Sequence, residues 1–107
     1  MEKYKHLTFK SKEKIASYLL YKINKDKIFI RRIAVSPDFR RGGFGTKMIE
    51  KITKKAKELK LKKIFQLVRI SNLAGIAFCK KLGFQMRKKI EKYFPDGEAA
   101  FLMEKKI

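Results

Sequence analysis

The chain has 107 residues, with 29 Lys and Arg against 10 Asp and Glu, for a formal net charge of +19. That length predicts one domain over residues 1–107, and the 45% apolar content, with nine Phe, excludes a disordered polyelectrolyte. A single Cys excludes an internal disulfide, no Cys/His cluster has metal-site spacing, and the longest uncharged run, Ile70 to Cys79, is too short to span a membrane.

Leu7 to Lys10 is a short alternating stretch, and Ser11 to Lys14 reads as a polar turn. Ile15 to Ile23 is rich in aromatic and aliphatic residues and predicts a strand. Asn24 to Lys27 supplies turn chemistry, because Asn and Asp tolerate the left-handed region. Ile28 to Val35 predicts a second long strand, so the first part reads as an antiparallel meander. Pro37 stops the sheet because it has no amide donor. Asp38 to Gly45 is a loop rich in Gly and Arg.

Thr46 to Lys60 predicts a helix, with Met48, Ile49, Ile52, Ala56 and Leu59 on one face at a spacing near 3.6. Lys63 to Ile70 predicts a strand buried on both faces. Asn72 caps the next helix and Gly83 ends it. Phe84 to Tyr93 predicts a strand, Pro95-Asp96-Gly97 a turn, and Ala99 to Lys105 the returning strand. The predicted order is β-β-β-α-β-α-β-β. The fold class is α/β or α+β, with a mixed and mostly antiparallel sheet. The polar, Lys-rich Met1 to Lys14 does not read as a secretory signal, so the expected location is cytoplasmic, away from membranes.

The charge attracts anions. It has two sources open: a polyanionic partner such as nucleic acid or the ribosome, or a thermophile-like composition. The chain holds 23 Lys, two Asn and two Gln, and Lys enrichment marks hyperthermophiles. No zinc-finger, RNP or KH pattern is present.

Arg40-Arg41-Gly42-Gly43-Phe44-Gly45 joins a strand to a helix. Its glycines let a ligand approach the main chain. The helix adds unsatisfied N–H groups and a partial positive charge, which suits a pyrophosphate. It is neither a Walker loop nor a dinucleotide fingerprint.

Val35-x-Pro37-x-x-Arg40-x-x-Gly43-x-Gly45 resembles the acetyl-CoA signature of the GNAT superfamily of N-acetyltransferases. Asn72 to Phe78, ending in Lys81-Leu82-Gly83-Phe84, is similar to the family's second block. Tyr93-Phe94-Pro95-Asp96-Gly97-Glu98, with Met103-Glu104, resembles the tail of the branch that holds ribosomal-protein-alanine and N-terminal (Nα) acetyltransferases. The resemblance covers nearly all of the chain from Ile15 onward. It implies a splayed GNAT-like sheet and transfer of an acetyl group from acetyl-CoA to a primary amine, such as a protein N-terminus.

The resemblance also implies site residues. Ile33, Ala34 and Val35 would bind the pantetheine arm through their backbone. Arg40, Arg41, Gly42, Gly43, Phe44, Gly45 and Thr46 would hold the pyrophosphate, and Asn72 would meet the pantetheine region. Cys79 stands where the family usually has the Tyr that protonates the sulfur, and its unperturbed pKa near ~8.5 still allows donation. A small buried apolar residue is the alternative for Cys79. Leu67 stands where the nearest relatives place a Glu base, which leaves Tyr93, Glu98 or a water chain for that task. Tyr93 matches a family tyrosine that helps seat the peptide N-terminus, whereas Phe94 has lost the second hydroxyl.

Family members usually begin with a strand and two helices before the Ile15-type strand, and these helices wall the acceptor site. This sequence has room there for one short strand. The expected consequence is an acceptor groove that is open or completed by another chain, most simply in a homodimer. Two other functions stay open: a degenerate CoA-binding protein, and a basic nucleic-acid or ribosome-associated module on the same scaffold. Lys47, Lys51, Lys54, Lys55, Lys88 and Lys89 motivate the last.

Overall fold

Residues 4–40 and 42–107 are described by the computed structural model. Six strands form one sheet in the order β1-β2-β3-β4-β6-β5. The elements are β1 (Lys5–Ser11), β2 (Lys14–Asn24), β3 (Lys27–Val35), α1 (Phe44–Glu58), β4 (Lys63–Arg69), α2 (Leu73–Lys81), β5 (Gln85–Ile90) and β6 (Ala100–Lys106). A short 3-10 turn, Pro37–Phe39, lies between β3 and α1. The order agrees with the one predicted from sequence.

Three differences from the expected elements have local causes. The helix begins at Phe44 instead of Thr46, so Phe44 and Gly45 lie in its first turn instead of the loop. The first two hairpins turn on Lys12, Glu13 and Lys25, all with positive φ, instead of on Asn24 or Asp26. Strand pairing to the ends of both hairpins fixes these left-handed residues. The expectation that β4 is buried on both faces fails. Only Ile64 and Val68 are buried, and Phe65, Gln66 and Leu67 are half-buried.

The core lies where the apolar stripe of α1 meets one face of the sheet. Met48, Ile49, Ile52 and Ala56 of α1 join Leu19, Tyr21, Ile28, Ile30, Ile64 and Met103 in one cluster. Cys79 and Phe84 extend it toward α2. Glu104 is a buried carboxylate, 3% exposed, on the half of the sheet beyond β4. It accepts ion pairs from Lys63 at 3.0 Å and Arg87 at 3.1 Å, tying β4, β6 and β5 together. Lys63, and then the other nearby cations, hold its pKa below the ordinary carboxylate value.

Among the described residues, no helix is long and apolar enough to cross a membrane. None of those residues form a group of three or more metal-type ligands.

Candidate active site in the splay between two strands

The feature that positions the site is an interrupted pairing. β3 and β4 run parallel for four pairs only, from Lys27↔Lys63 to Ile30↔Gln66. Beyond Ile30, β3 stays paired to β2 through Val35, and beyond Gln66, β4 stays paired to β6 through Arg69. Each strand therefore presents a free main-chain edge to the gap. An extended chain can add to such an edge by hydrogen bonding.

Two cavities occupy the splay. One, of about 270 Å³, is lined by Tyr4, Phe29, Phe65, Tyr93 and Phe94, with Lys22 and Arg31 as its cations. The other, of about 280 Å³, is lined by Arg32, Ile33, Asn72, Phe78, Cys79 and Arg69, among others. Arg31, Gln66, Leu67 and Phe94 border both. Alternation along β3 explains the aromatic side: Ile28 and Ile30 are buried toward α1, so Phe29 points the other way. There it stacks on Phe65, with ring centroids 5.3 Å apart.

At the far end of β3, the glycine loop delivers the start of α1. Gly43 is the N-cap residue, with φ +78°, and no side chain caps the helix. The first turn contains no acidic residue. The leading N–H groups of a helix have no intrahelical partner, and here no side-chain cap or first-turn carboxylate takes them up. A Cβ added at Gly45 would lie 3.3 Å from the Phe78 ring and 3.8 Å from Val35 Cγ2. Gly45 thus keeps α1, α2 and the end of β3 in close approach. Phe44 packs edge-on against Phe39, 5.5 Å between centroids. Arg40 is exposed, Thr46 is half-buried, and Arg41 lies outside the described residues.

The predicted site residues divide among these places. Ile33, Asn72 and Cys79 share the second cavity, and Tyr93 lines the first. Ala34 and Val35 continue the free edge toward the glycine loop. Asn72 Oδ1 accepts a 2.9 Å bond from the Gly75 amide, so this side chain caps α2 as well as lining the cavity. Cys79 is 1% exposed, and its Sγ donates to Gln66 Oε1 at 3.5 Å. Burial pushes its pKa up to about 11. The thiol is therefore protonated at neutral pH. Tyr93 is 41% exposed and lies edge-on to Phe94, 5.0 Å between centroids.

Sequence reasoning missed one assembly. Arg69, at the end of β4, donates from Nη1 to Asp96 and Glu98, each at 2.9 Å. Glu98 Oε2 also accepts from the Ser71 amide at 2.9 Å, and the Arg69 guanidinium lies 4.0 Å over the Phe94 ring. The loop before β6 is thereby latched onto the rim of the splay. Hydrogen bonds from Ser71 and then Arg69 lower the pKa of Glu98. The Glu98 amide, and then Arg69, lower that of Asp96. The available signal was a strand-end Arg with two acids around a Pro-Asp-Gly turn. Leu67 lines both cavities and offers no titratable group.

Residues 2–84 match the acetyltransferase (GNAT) family. The chain belongs to that family. It is 40% identical over 72 residues to an N-alpha-acetyltransferase of Sulfurisphaera tokodaii, a match covering 66% of this chain and 43% of the relative. It is 30% identical over 105 residues to the ribosomal protein bS18-alanine N-acetyltransferase of Escherichia coli, covering 95% of this chain and 71% of the relative. The crystal structure of the Escherichia coli ribosomal-protein-S18-alanine N-acetyltransferase superposes with a TM-score of 0.89 at 29% identity, covering 97% of this chain and 69% of that one. A GNAT acetyltransferase of Elizabethkingia anophelis, crystallised with acetyl-CoA, shares the fold with a TM-score of 0.91 at 18% identity, covering 97% and 76%. The chain spans less than half the length of the archaeal relatives it matches.

Proposed function

We propose that the chain is an acetyl-CoA-dependent N-acetyltransferase acting on a primary amine, with a protein N-terminus as the leading acceptor. The observation that carries this reading is the free edge of β3 running from the splay to the uncapped first turn of α1. It offers main-chain donors and acceptors for a pantetheine arm and leads to N–H groups suited to a pyrophosphate. When bound, acetyl-CoA supplies an activated acetyl thioester. Its C–S bond breaks as a C–N bond to the amine forms.

The chain's own residues then have three tasks. Main-chain N–H groups on the Ile33–Val35 edge polarise the thioester carbonyl and fix its place. A proton must leave the amine, and one must reach the thiolate. Tyr93, exposed at the acceptor cavity, is the side chain we assign to the acceptor side. Cys79 is assigned the hydrogen-bond donor next to the leaving sulfur, its S–H turning there from Gln66 Oε1. Its raised pKa makes it a donor that keeps its proton more than an acid that gives it up. With Leu67 lining both cavities, the amine proton is assigned to leave to solvent by way of the Tyr93 hydroxyl at the open first cavity. The glycine-loop residues Arg40 to Thr46 hold the phosphates, and Asn72 meets the pantetheine region.

The test is transfer of labelled acetyl from acetyl-CoA to a panel of peptides and small amines. Transfer to N-termini is expected, and Tyr93→Phe should lower kcat by roughly 10²-fold. Tight CoA binding without transfer to any amine would leave the degenerate CoA-binding reading in place. A homodimer belongs to the same proposal, as the simplest completion of the open first cavity, and light scattering measures it. A polyanion contact is assigned to the exposed edge strand β5, with Lys88 and Lys89. Its affinity should fall steeply with salt.

A further inference from the structure

Arg31 is the last residue expected from a strand that serves only as scaffold. It sits one residue past the last β3–β4 pair, at the border of both cavities. It is the extra residue of a β-bulge, unpaired between Ile30↔Tyr21 and Arg32↔Leu20, and it lines the first cavity together with Phe29. Of the other two guanidiniums lining the second cavity, Arg69 is neutralised by Asp96 and Glu98, and Arg32 does not reach the first cavity. Arg31 is exposed and makes no hydrogen bond or ion pair among the described residues. Neither cavity has an Asp or Glu in its lining. Their charged side chains are Lys22, Arg31, Arg32 and Arg69, all basic.

This arrangement has two effects on an amine. A positive surrounding repels an ammonium and favours the neutral amine, the form that attacks. It also weakens binding of any acceptor that brings only positive charge. A carboxylate close to the amine removes that penalty, and a free guanidinium is the side chain that binds a carboxylate through two parallel bonds. The aromatic wall of Phe29, Phe65 and Phe94 contacts the apolar remainder of the acceptor.

We propose that Arg31 is a specificity residue that selects acceptor amines carrying a carboxylate within about two residues, a span of roughly 7 Å in extended chain. The peptide form is an N-terminus with Asp or Glu at its first or second position. A free amino acid with a carboxylate offers the same chemistry. This rests on the reading that the splay receives the acceptor amine.

The test uses the full chain with CoA, and peptides of equal length and equal net charge. One peptide carries Glu at position 2, one carries it at position 8, and free glutamate is the competitor. Equilibrium binding and acetyl transfer are measured separately, for the wild type, Arg31→Met and Arg31→Glu. The proximal Glu peptide is expected to bind about tenfold more tightly than the distal one, the worth of a charge-assisted pair. Both variants should erase that ratio, and Arg31→Glu should favour Lys at position 2 instead. Competition by free glutamate at lower concentration than the peptide would support the proposal and assign the small-molecule source. Equal binding of the proximal and distal peptides overturns it, because the general +19 field would then explain any attraction. So does an unchanged ratio in a variant that retains its circular dichroism. Arg31-dependent proximal binding without transfer would uphold this inference and defeat the acetyltransferase reading.

Discussion

On the β3 side of the splay, what faces the gap is main chain: a free strand edge from Arg31 to Val35, and then the uncapped first turn of α1. On the β4 side, side chains make the rim: Arg69 gripping Asp96 and Glu98, with Phe94 beneath it. The two sides differ in what can change them. A main-chain surface tolerates many side chains but not an added Cβ at a close approach. A rim made of ion pairs responds to single charges and to pH. The first suits a cosubstrate that never varies, and the second suits acceptors that do.

The largest expected effect comes from beneath both sides. Ile52 is fully buried in the core under the sheet, and Ile52→Ala should lower stability by about 2–5 kcal/mol in denaturant unfolding. Both sides should then fail together, which sets the scale for changes that separate them. Gly45→Val should separate them. Its side chain would meet Phe78 and Val35, so CoA affinity by calorimetry should fall about tenfold or more, while the Arg69 latch stays intact. Loss of CoA affinity no greater than for a surface substitution would show that the first turn of α1 is not the phosphate site.

Glu98→Gln acts on the other side. It removes the ion pair to Arg69 and weakens the bond from the Ser71 amide. KM for the acceptor should rise, with CoA affinity kept. The pH dependence follows from the lowered pKa values of Asp96 and Glu98. Groups with depressed pKa values contribute stability above the unfolded carboxylate range. That contribution is lost as pH falls through the folded values. Melting temperature should therefore hold from neutral pH down to about 5 and fall below it, with a shallower acid fall in Glu98→Gln. The smallest effect is expected at Cys79. Cys79→Ala removes one buried sulfur, costing about 1 kcal/mol, and should lower kcat only a few-fold. A loss as large as that of Tyr93→Phe would make the thiol a true proton donor.

Much of the β3 side was legible in the sequence, because main-chain sites announce themselves by glycine spacing. Gly43 ends the loop as the N-cap of α1, and Asn72 caps α2, as their types in the sequence imply. The β4 side was less legible. Its chemistry depends on which strand end the Pro95–Glu98 turn reaches, a distance that only the β4–β6 register defines. The place of Arg31 was unreadable for the same reason: it borders both cavities because pairing stops one residue earlier, and no local pattern marks that stop. The hairpin turns were located, but Lys12, Glu13 and Lys25 carry their positive φ values without Gly or Asn to signal them. The half-buried face of β4 was overestimated because an apolar run looks the same whether one or both faces are covered.

The four-pair contact between β3 and β4 also divides the assembly of the chain in time. β1, β2 and β3 join through tight hairpins, whose ends are near neighbours in sequence. β4 reaches β3 only after α1 has crossed over the sheet, and it then receives β6 from the other end of the chain. Contacts between distant segments form slowly because their loops must close first. The meander is thus expected to gain amide protection early and the β4–β6–β5 half late. The gap between β3 and β4, lying between an early unit and a late one, is then expected to form only at the final step of folding.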